Sequence, residues 1–396
     1  MDSLKKLYRI GVGPSASHTM GPKVAAETFK QKHPDAALYR VTLYGSLAAT
    51  GKGHLTNQVL KSTLVPKKLK LIWKPNIFLP FHPNGMKFEA LDAKGKIIDT
   101  WTVYSVGGGE LQTEHSKTQN KVYPLDKMSD ILVWCRKTAK SLWQYVYEHE
   151  DIEPYLKEVW EVMKDAIHRG LSTEGPLPGR LRLRRCAAAY YMKAQSTKGF
   201  AQQAQLVSAY ALAVAEENAC GGVIVTAPTC GSAGVLPAVL YALKKKYKFP
   251  DQKIYRALAV AGLIGNSVKA NGSIAGAEVG CQGEIGVACA MAAAAATQLL
   301  GGSNHQIEYA AEMGLEHHLG LTCDPVAGLV QIPCILRNVA GATRALDCAA
   351  FVLLTNGMHR VSFDQVVQTM VETGRDLQVK YKETSLGGLA KHKIRS

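Results

Sequence analysis

Four cysteines stand beside glycine or proline at the ends of helical stretches: Cys230 in APTCGSAG, Cys281 in AEVGCQGE, Cys323 in LTCDPV and Cys334 in QIPCI. Such places suit a metal-binding thiolate, because backbone N–H groups and the positive end of a helix stabilise the negative sulfur and leave it accessible. No Cys-x2-Cys pair occurs, so zinc ribbons and ferredoxin-type runs are not supported. Spacing alone leaves a metal site and a set of ordinary thiols both open. The other five, Cys135, Cys186, Cys220, Cys289 and Cys348, lie in apolar or amphipathic helical text and read as small core residues.

A second cluster carries hydroxyls and an imidazole. In GVGPSASHTMGP (11–22), Ser15, Ser17, His18 and Thr19 follow an apolar run and precede a helix opened by Pro22. Backbone N–H groups and the macrodipole at such a helix mouth favour a carboxylate or phosphate, and His18 can exchange a proton near neutral pH. An ordinary hydroxyl cap beside a surface histidine fits the same string. The segment GSLAATGKGH (45–54) looks like a phosphate-binding loop, but it has one residue too many between its glycines, and Gly53 stands where a magnesium-binding hydroxyl is needed. ATP binding is therefore rejected, while Lys52 and His54 stay open as substrate contacts or as parts of a turn. The run Gly107-Gly108-Gly109 lets a ligand or another backbone approach closely, as a plain turn also does.

These residues need elements to hold them. Residues 1–150 read as a small α/β domain with strand-like runs at 37–44 and 101–106; the clearest hairpin pairs 86–91 with 96–106 around Ala93-Lys94-Gly95. From about residue 150 the text turns helical, with alanine-rich blocks at 184–194, 201–218, 233–246, 255–270, 284–300, 305–318 and 325–354. Small residues throughout a helix suit tight, buried crossings. The expected fold class is α+β: a 1–150 α/β domain followed by a larger all-helical domain, 151–396, with the site where they meet.

Composition narrows the function classes. The 396 residues exceed a single small module, and 47% hydrophobic with 20% charged residues is a globular balance. The net charge of +15 would suit an acidic partner, yet the basic residues are scattered and no nucleic-acid motif accompanies them, so no nucleic acid is expected. The longest apolar stretch, 285–300, is too short and too alanine-rich to span a bilayer, and no membrane partner is expected. Nine scattered cysteines and a start without a signal-peptide core point to a reducing, cytoplasmic compartment.

Taken together, GPSASHTMGP, GSLAATGKGH, HPNGMKFEA, YSVGGG, LPGRLRLRR, APTCGSAGVLP, GNSVKANGSIAGAEVGCQGE, LTCDPVAGLVQIPC and YKETSLGGLA resemble the signature segments of the bacterial iron-sulfur-dependent L-serine dehydratases, in order and over nearly the whole chain. The resemblance implies a [4Fe-4S] cluster held by Cys281, Cys323 and Cys334, with one iron open to substrate and Cys230 near the site. It implies that the small domain is like an allosteric substrate-binding domain whose GPSxSHT loop faces the cluster. By the same match His18 is the candidate base, with Ser15, Ser17, Thr19, Asn271 and Gly272 as substrate-binding residues, and Lys269 a structural or carboxylate contact.

The implied reaction is β-elimination of L-serine to pyruvate and ammonia without pyridoxal phosphate, in a homo-oligomer such as a dimer. Removal of the weakly acidic α-proton needs a base, and departure of hydroxide needs an acid, which an open iron supplies. Threonine or cysteine as substrate, or a non-catalytic iron-sulfur regulator, are the alternatives. Two departures stand out. Many members of the family end in a cysteine that folds onto the open iron, whereas this chain ends Lys393-Ile394-Arg395-Ser396, so tail self-inhibition should be weak or absent. Leu336 stands where an acid is common, which would leave Arg337 less neutralised, and the +15 charge is compatible with drawing in a carboxylate-bearing substrate.

Overall fold

The computed structural model describes residues 1–114 and 121–392, with Phe200 described by its backbone only. The N-terminal part runs β1 (Ile10–Val12), α1 (Gly21–Lys32), β2 (Leu38–Tyr44), α2 (Gly45–Thr50), α3 (Thr56–Leu64), β3 (Lys68–Lys74), β4 (Gly85–Leu91), β5 (Ile97–Ser105) and β6 (Leu111–Gln112). Five of these strands form one sheet in the order β3-β2-β4-β5-β6, parallel only between β2 and β3, which the α2–α3 crossover joins. The β4–β5 hairpin closes where the sequence places it. The Asp92 carboxylate accepts the N–H groups of Lys94 and Lys96 at 2.9 and 2.8 Å, and Gly95 takes a positive φ of 83°. Phe29 from α1 and Leu60 and Leu64 from α3 cover Tyr39, Val41, Leu43 and Phe88, giving the sheet its own core.

The helical body follows as α4 (Met128–Thr138), α5 (Leu142–His149), α6 (Glu153–Ser172), α7 (Ala187–Ser196), α8 (Phe200–Ala219), a short β7 (Val223–Val225), α9 (Val235–Tyr247), α10 (Asp251–Asn271), α11 (Gly276–Val279), α12 (Ile285–Leu299), α13 (Asn304–Glu316), α14 (Cys334–Val352) and α15 (Phe363–Asp376). Helix α12 lies at its centre, buried at every position but Gln298 and packed on α9, α10, α13 and α14. Alanine there is a packing requirement. A Cβ on Gly314 of α13 would sit 3.1 Å from Ala290 Cα, so the two backbones nearly touch, and larger side chains along this seam would cost about 1–3 kcal/mol each in overpacking. Among the described residues no single helix is long and apolar enough to cross a membrane.

The division at residue 150 shifts in the structure. Met1, Leu4, Leu7, Tyr8, Ala16 and Met20 pack in the core of the helical body, as do Tyr123, Met128, Ile131 and Leu142, all before residue 150. Strand β1 pairs antiparallel with β7, Ile10 opposite Val225, so the body is not wholly helical. The reason is burial: the apolar N-terminal side chains find cover only on the helices. The sheet core draws on residues from Ala25 to Val103 and is an insertion between two stretches of the larger core.

Candidate active site

Strand β1 delivers the GPSASHT segment to the top of the body. There Ala16–Met20 forms one wide helical turn that runs directly into α1, with Ser15 as its cap: Ser15 Oγ accepts the His18 N–H at 3.1 Å. His18 is fully buried. Its Nε2 lies 3.0 Å from Thr50 Oγ1, its Nδ1 lies 2.9 Å from Ser17 Oγ, and its ring stacks on His54 at 4.5 Å. The Thr50 hydroxyl donates its hydrogen to the Ser46 carbonyl at 3.1 Å, so it can only accept from His18, and the Nε2–H tautomer follows. His54 Nδ1 meets the Thr50 carbonyl at 3.0 Å and must carry the proton there, leaving Nε2 with its lone pair. One threonine thus sets both tautomers. Burial holds both imidazoles below the ordinary histidine value, His54 at about 4, and both are neutral at pH 7.

The thiols come from three places in the body. Cys281 sits in a tight turn before α12, its N–H donating to the Leu321 carbonyl at 2.9 Å. Cys323 is held by the C-terminal strap: its N–H donates to the Tyr381 carbonyl at 2.8 Å, and its carbonyl accepts the Glu383 N–H at 2.7 Å. Cys334 is the first residue of α14, at the positive end of that helix. Removal from water pushes the Cys281 thiol up to about 11, against the pull of Arg337, and it raises Cys323 and Cys334 as well, with the Glu284 and Glu383 carboxyls and neighbouring thiols adding to the rise. Burial works against the Arg337 charge, but the neighbouring sulfurs of Cys281, Cys334 and Cys323 hold it firmly protonated.

Part of this set borders one cavity, while His18 and Cys281 lie outside its lining. Ser15, Ser17 and His54 line it from the N-terminal side; Cys230, Cys323 and Cys334 line it from the body, and Gly107 and Gly108 close it with positive φ of 102° and 56°. Two carboxyls complete the wall, Glu284 and Glu383. Both are raised above the ordinary carboxylate range, first by removal from water; Glu284 is partly relieved by the Thr229 hydroxyl at 2.8 Å.

Several sequence candidates fall elsewhere. Thr19 is buried with its hydroxyl spent on the His54 carbonyl at 2.9 Å, so it positions the second imidazole and does not border the cavity. Asn271 is exposed and donates to the Asp126 and Ser267 carbonyls at 2.8 and 3.0 Å, ending α10, while Gly272 is packed against Met370 and Val371. Neither reaches the cavity, because α10 ends on the far side of the Ile274–Gly276 segment that lines it. Lys269 pairs with Glu110 at 2.5 Å and Asp2 at 3.6 Å, a structural tie between the two parts. Lys52 lies over the Trp73 ring, and Gly53 must be glycine because a Cβ would stand 2.1 Å from the Gly328 carbonyl oxygen.

Arg337 is not left without an acid. It donates to Asp324 at 3.3 Å and to the Thr322 carbonyl at 2.7 Å, while Leu336 points out, 68% exposed. Of the five presumed core cysteines, Cys135, Cys289 and Cys348 are buried, but Cys186 is partly exposed and Cys220 exposed, since each sits at a helix end. The cavity wall, among the described residues, includes no lysine or arginine, so the +15 charge does not reach it. The tail reading at 393–396 lies outside the described residues. Glu284 had a signal in the sequence, a carboxyl at the start of an otherwise apolar helix; Thr50 and Glu383 fall inside the GSLAATGKGH and YKETSLGGLA segments with no mark of their own, and Asn338 sits in ordinary helical text. Asn338 joins the Cys230 loop to α14, donating to the Gly231 and Cys334 carbonyls at 2.7 and 2.9 Å.

A sheet domain inserted into a helical body, with the His54 imidazole from one and the Cys323 and Cys334 thiols from the other on a shared cavity, defines an enzyme whose two halves complete one site. Residues 3–68 match the serine dehydratase beta chain family and residues 55–390 the serine dehydratase alpha chain family. The chain belongs to the serine dehydratase family, with both regions in one polypeptide. Similar curated proteins include the L-serine dehydratase of Streptomyces coelicolor, 41% identical over 98% of both chains, and L-serine dehydratase 2 of Escherichia coli, 40% identical over 98% of both. The L-serine dehydratase of Haemophilus influenzae is 38% identical over 98% of this chain and 99% of its own.

Proposed function

We propose that the chain is an L-serine dehydratase that works with a [4Fe-4S] cluster held by Cys281, Cys323 and Cys334. One observation carries the reading: Cys323 and Cys334 on one side and His54 on the other line the same cavity. The donor chemistry fits the cluster. Three thiols with raised pKa values need a bound cation to become thiolates, and Arg337 offsets part of the resulting negative charge. A Cβ on Gly276 would stand 3.2 Å from Cys323 Sγ and 2.7 Å from Glu284 Oε2, so glycine keeps the space beside the sulfur open. Among the described residues no three His, Cys, Asp or Glu side chains converge on a single-ion position; thiolates on separate irons do not require such convergence. When bound, an iron with an open position supplies the Lewis acid for the β-oxygen, typically worth several kcal/mol.

The chain's own residues handle the proton and the orientation. A neutral His54, its Nε2 lone pair set by the Thr50 carbonyl, is placed to take the proton from Cα. His18, the candidate from the sequence, sits directly behind it and holds it by stacking. Ser15 presents its hydroxyl to the substrate carboxylate, while the Ser17 hydroxyl donates to His18 Nδ1 at 2.9 Å. As the Cα–H bond breaks, its electrons form the Cα–Cβ double bond and the Cβ–O bond breaks, and the proton taken by His54 passes to the leaving oxygen, which departs as water. The aminoacrylate tautomerises to an imine, and added water releases ammonia and pyruvate. No pyridoxal phosphate is used. His54→Asn should lower kcat by about 10²–10⁴ while keeping bound iron; His18→Asn should cost less. A His54→Asn enzyme turning over at the parent rate would remove His54 as the base.

A further inference from the structure

We propose that Glu383 receives the α-ammonium group of the substrate and so makes the site select amino acids over hydroxy acids. The inference rests on the serine reading and deepens it.

Its carboxyl lines the cavity with a side chain only 9% exposed, and among the described residues no donor lies within hydrogen-bond distance of it. The nearest groups are His18 Nδ1 and His54 Nε2, each 3.7 Å from the same oxygen. Both nitrogens face it without a proton, because the His18 proton is committed to the Thr50 hydroxyl and the His54 proton to the Thr50 carbonyl. A buried carboxyl facing two lone pairs lacks the compensation that burial demands. No lysine or arginine on the described wall supplies it. The other carboxyl is differently placed: Glu284 accepts the Thr229 hydroxyl at 2.8 Å and lies within reach of the Arg337 charge.

The backbone of Glu383 is fixed for such a role. Its N–H donates to the Cys323 carbonyl at 2.7 Å, its carbonyl accepts the Ser46 hydroxyl at 2.8 Å, and its φ of +56° is a conformation a non-glycine residue keeps only when its surroundings impose it. The carboxyl therefore sits between the imidazole pair and the cysteine loop, where an ammonium on Cα would leave the α-proton near His54 and the β-oxygen toward the thiols.

The test compares L-serine with 3-hydroxypropionate, which is serine without its ammonium, on the iron-loaded enzyme under anaerobic conditions. Glu383→Gln should raise KM for L-serine about tenfold or more, as expected for a lost charge-assisted contact, with a smaller change in kcat. The inhibition constant of 3-hydroxypropionate should stay at the parent value. Glu383→Asp should recover part of the serine affinity, and it carries the same comparison if the Gln variant does not fold. An unchanged serine KM, or equal losses for both compounds, overturns the role of Glu383 while leaving serine turnover by the parent enzyme intact. Absence of pyruvate from L-serine in the parent enzyme removes the serine reading and this inference together.

Discussion

Removal from water acts on every titratable group around the cavity, and it favours the neutral form of each. The imidazoles are ready to accept a proton, and the thiols resist losing theirs until a cation compensates them. Cys281→Ser, Cys323→Ser and Cys334→Ser should each abolish tightly bound iron and sulfide, whereas Cys230→Ala should keep both, because Cys230 borders the cavity from a separate loop. Anaerobic iron and sulfide analysis decides this, and a full complement in any of the three serine variants contradicts the ligand assignment. Position beside glycine or proline marked four cysteines, Cys230 included, and only the resemblance singled out Cys281, Cys323 and Cys334. Glu383 was not legible, since nothing local marks a strap residue that meets His18 only through tertiary folding.

At the scale of elements, the helix blocks and the β4–β5 hairpin were readable from periodicity and turn residues. The block expected at 325–354 shortens to Cys334–Val352, because residues 325–333 form the loop that carries Gly328 to Gly53 and Pro325 to the cavity. The first half of α13 and the start of α15 share one carboxylate: Glu308 caps Phe363 N–H at 2.7 Å and pairs with His359 at 3.1 Å. The Glu308 carboxylate beside it raises the His359 pKa above its unfolded value near 6.5. The stabilisation is therefore fully present below pH 6.5 and lost as pH rises through the higher folded value. The stability difference between the parent and His359→Gln should be largest near pH 6 and shrink toward pH 8. Denaturant unfolding across that range checks it, and a gap that widens with pH contradicts the pairing.

Across the whole molecule, two cores are tied by β1 on β7, by Lys269 on Glu110 and by the Glu383 strap, which touches the cysteine loop and α2 together. The presence of two parts was legible from the shift in composition. Their boundary was not, because the N-terminal apolar residues look the same whether they pack on a sheet or on helices. The central claim is that both halves and the three thiols together eliminate water from L-serine. Its most direct test is pyruvate release from L-serine by anaerobically prepared enzyme of measured iron and sulfide content. Pyruvate formation that rises with cluster content and vanishes in Cys281→Ser is the predicted result; turnover indifferent to iron, or none at full iron and sulfide, would contradict it.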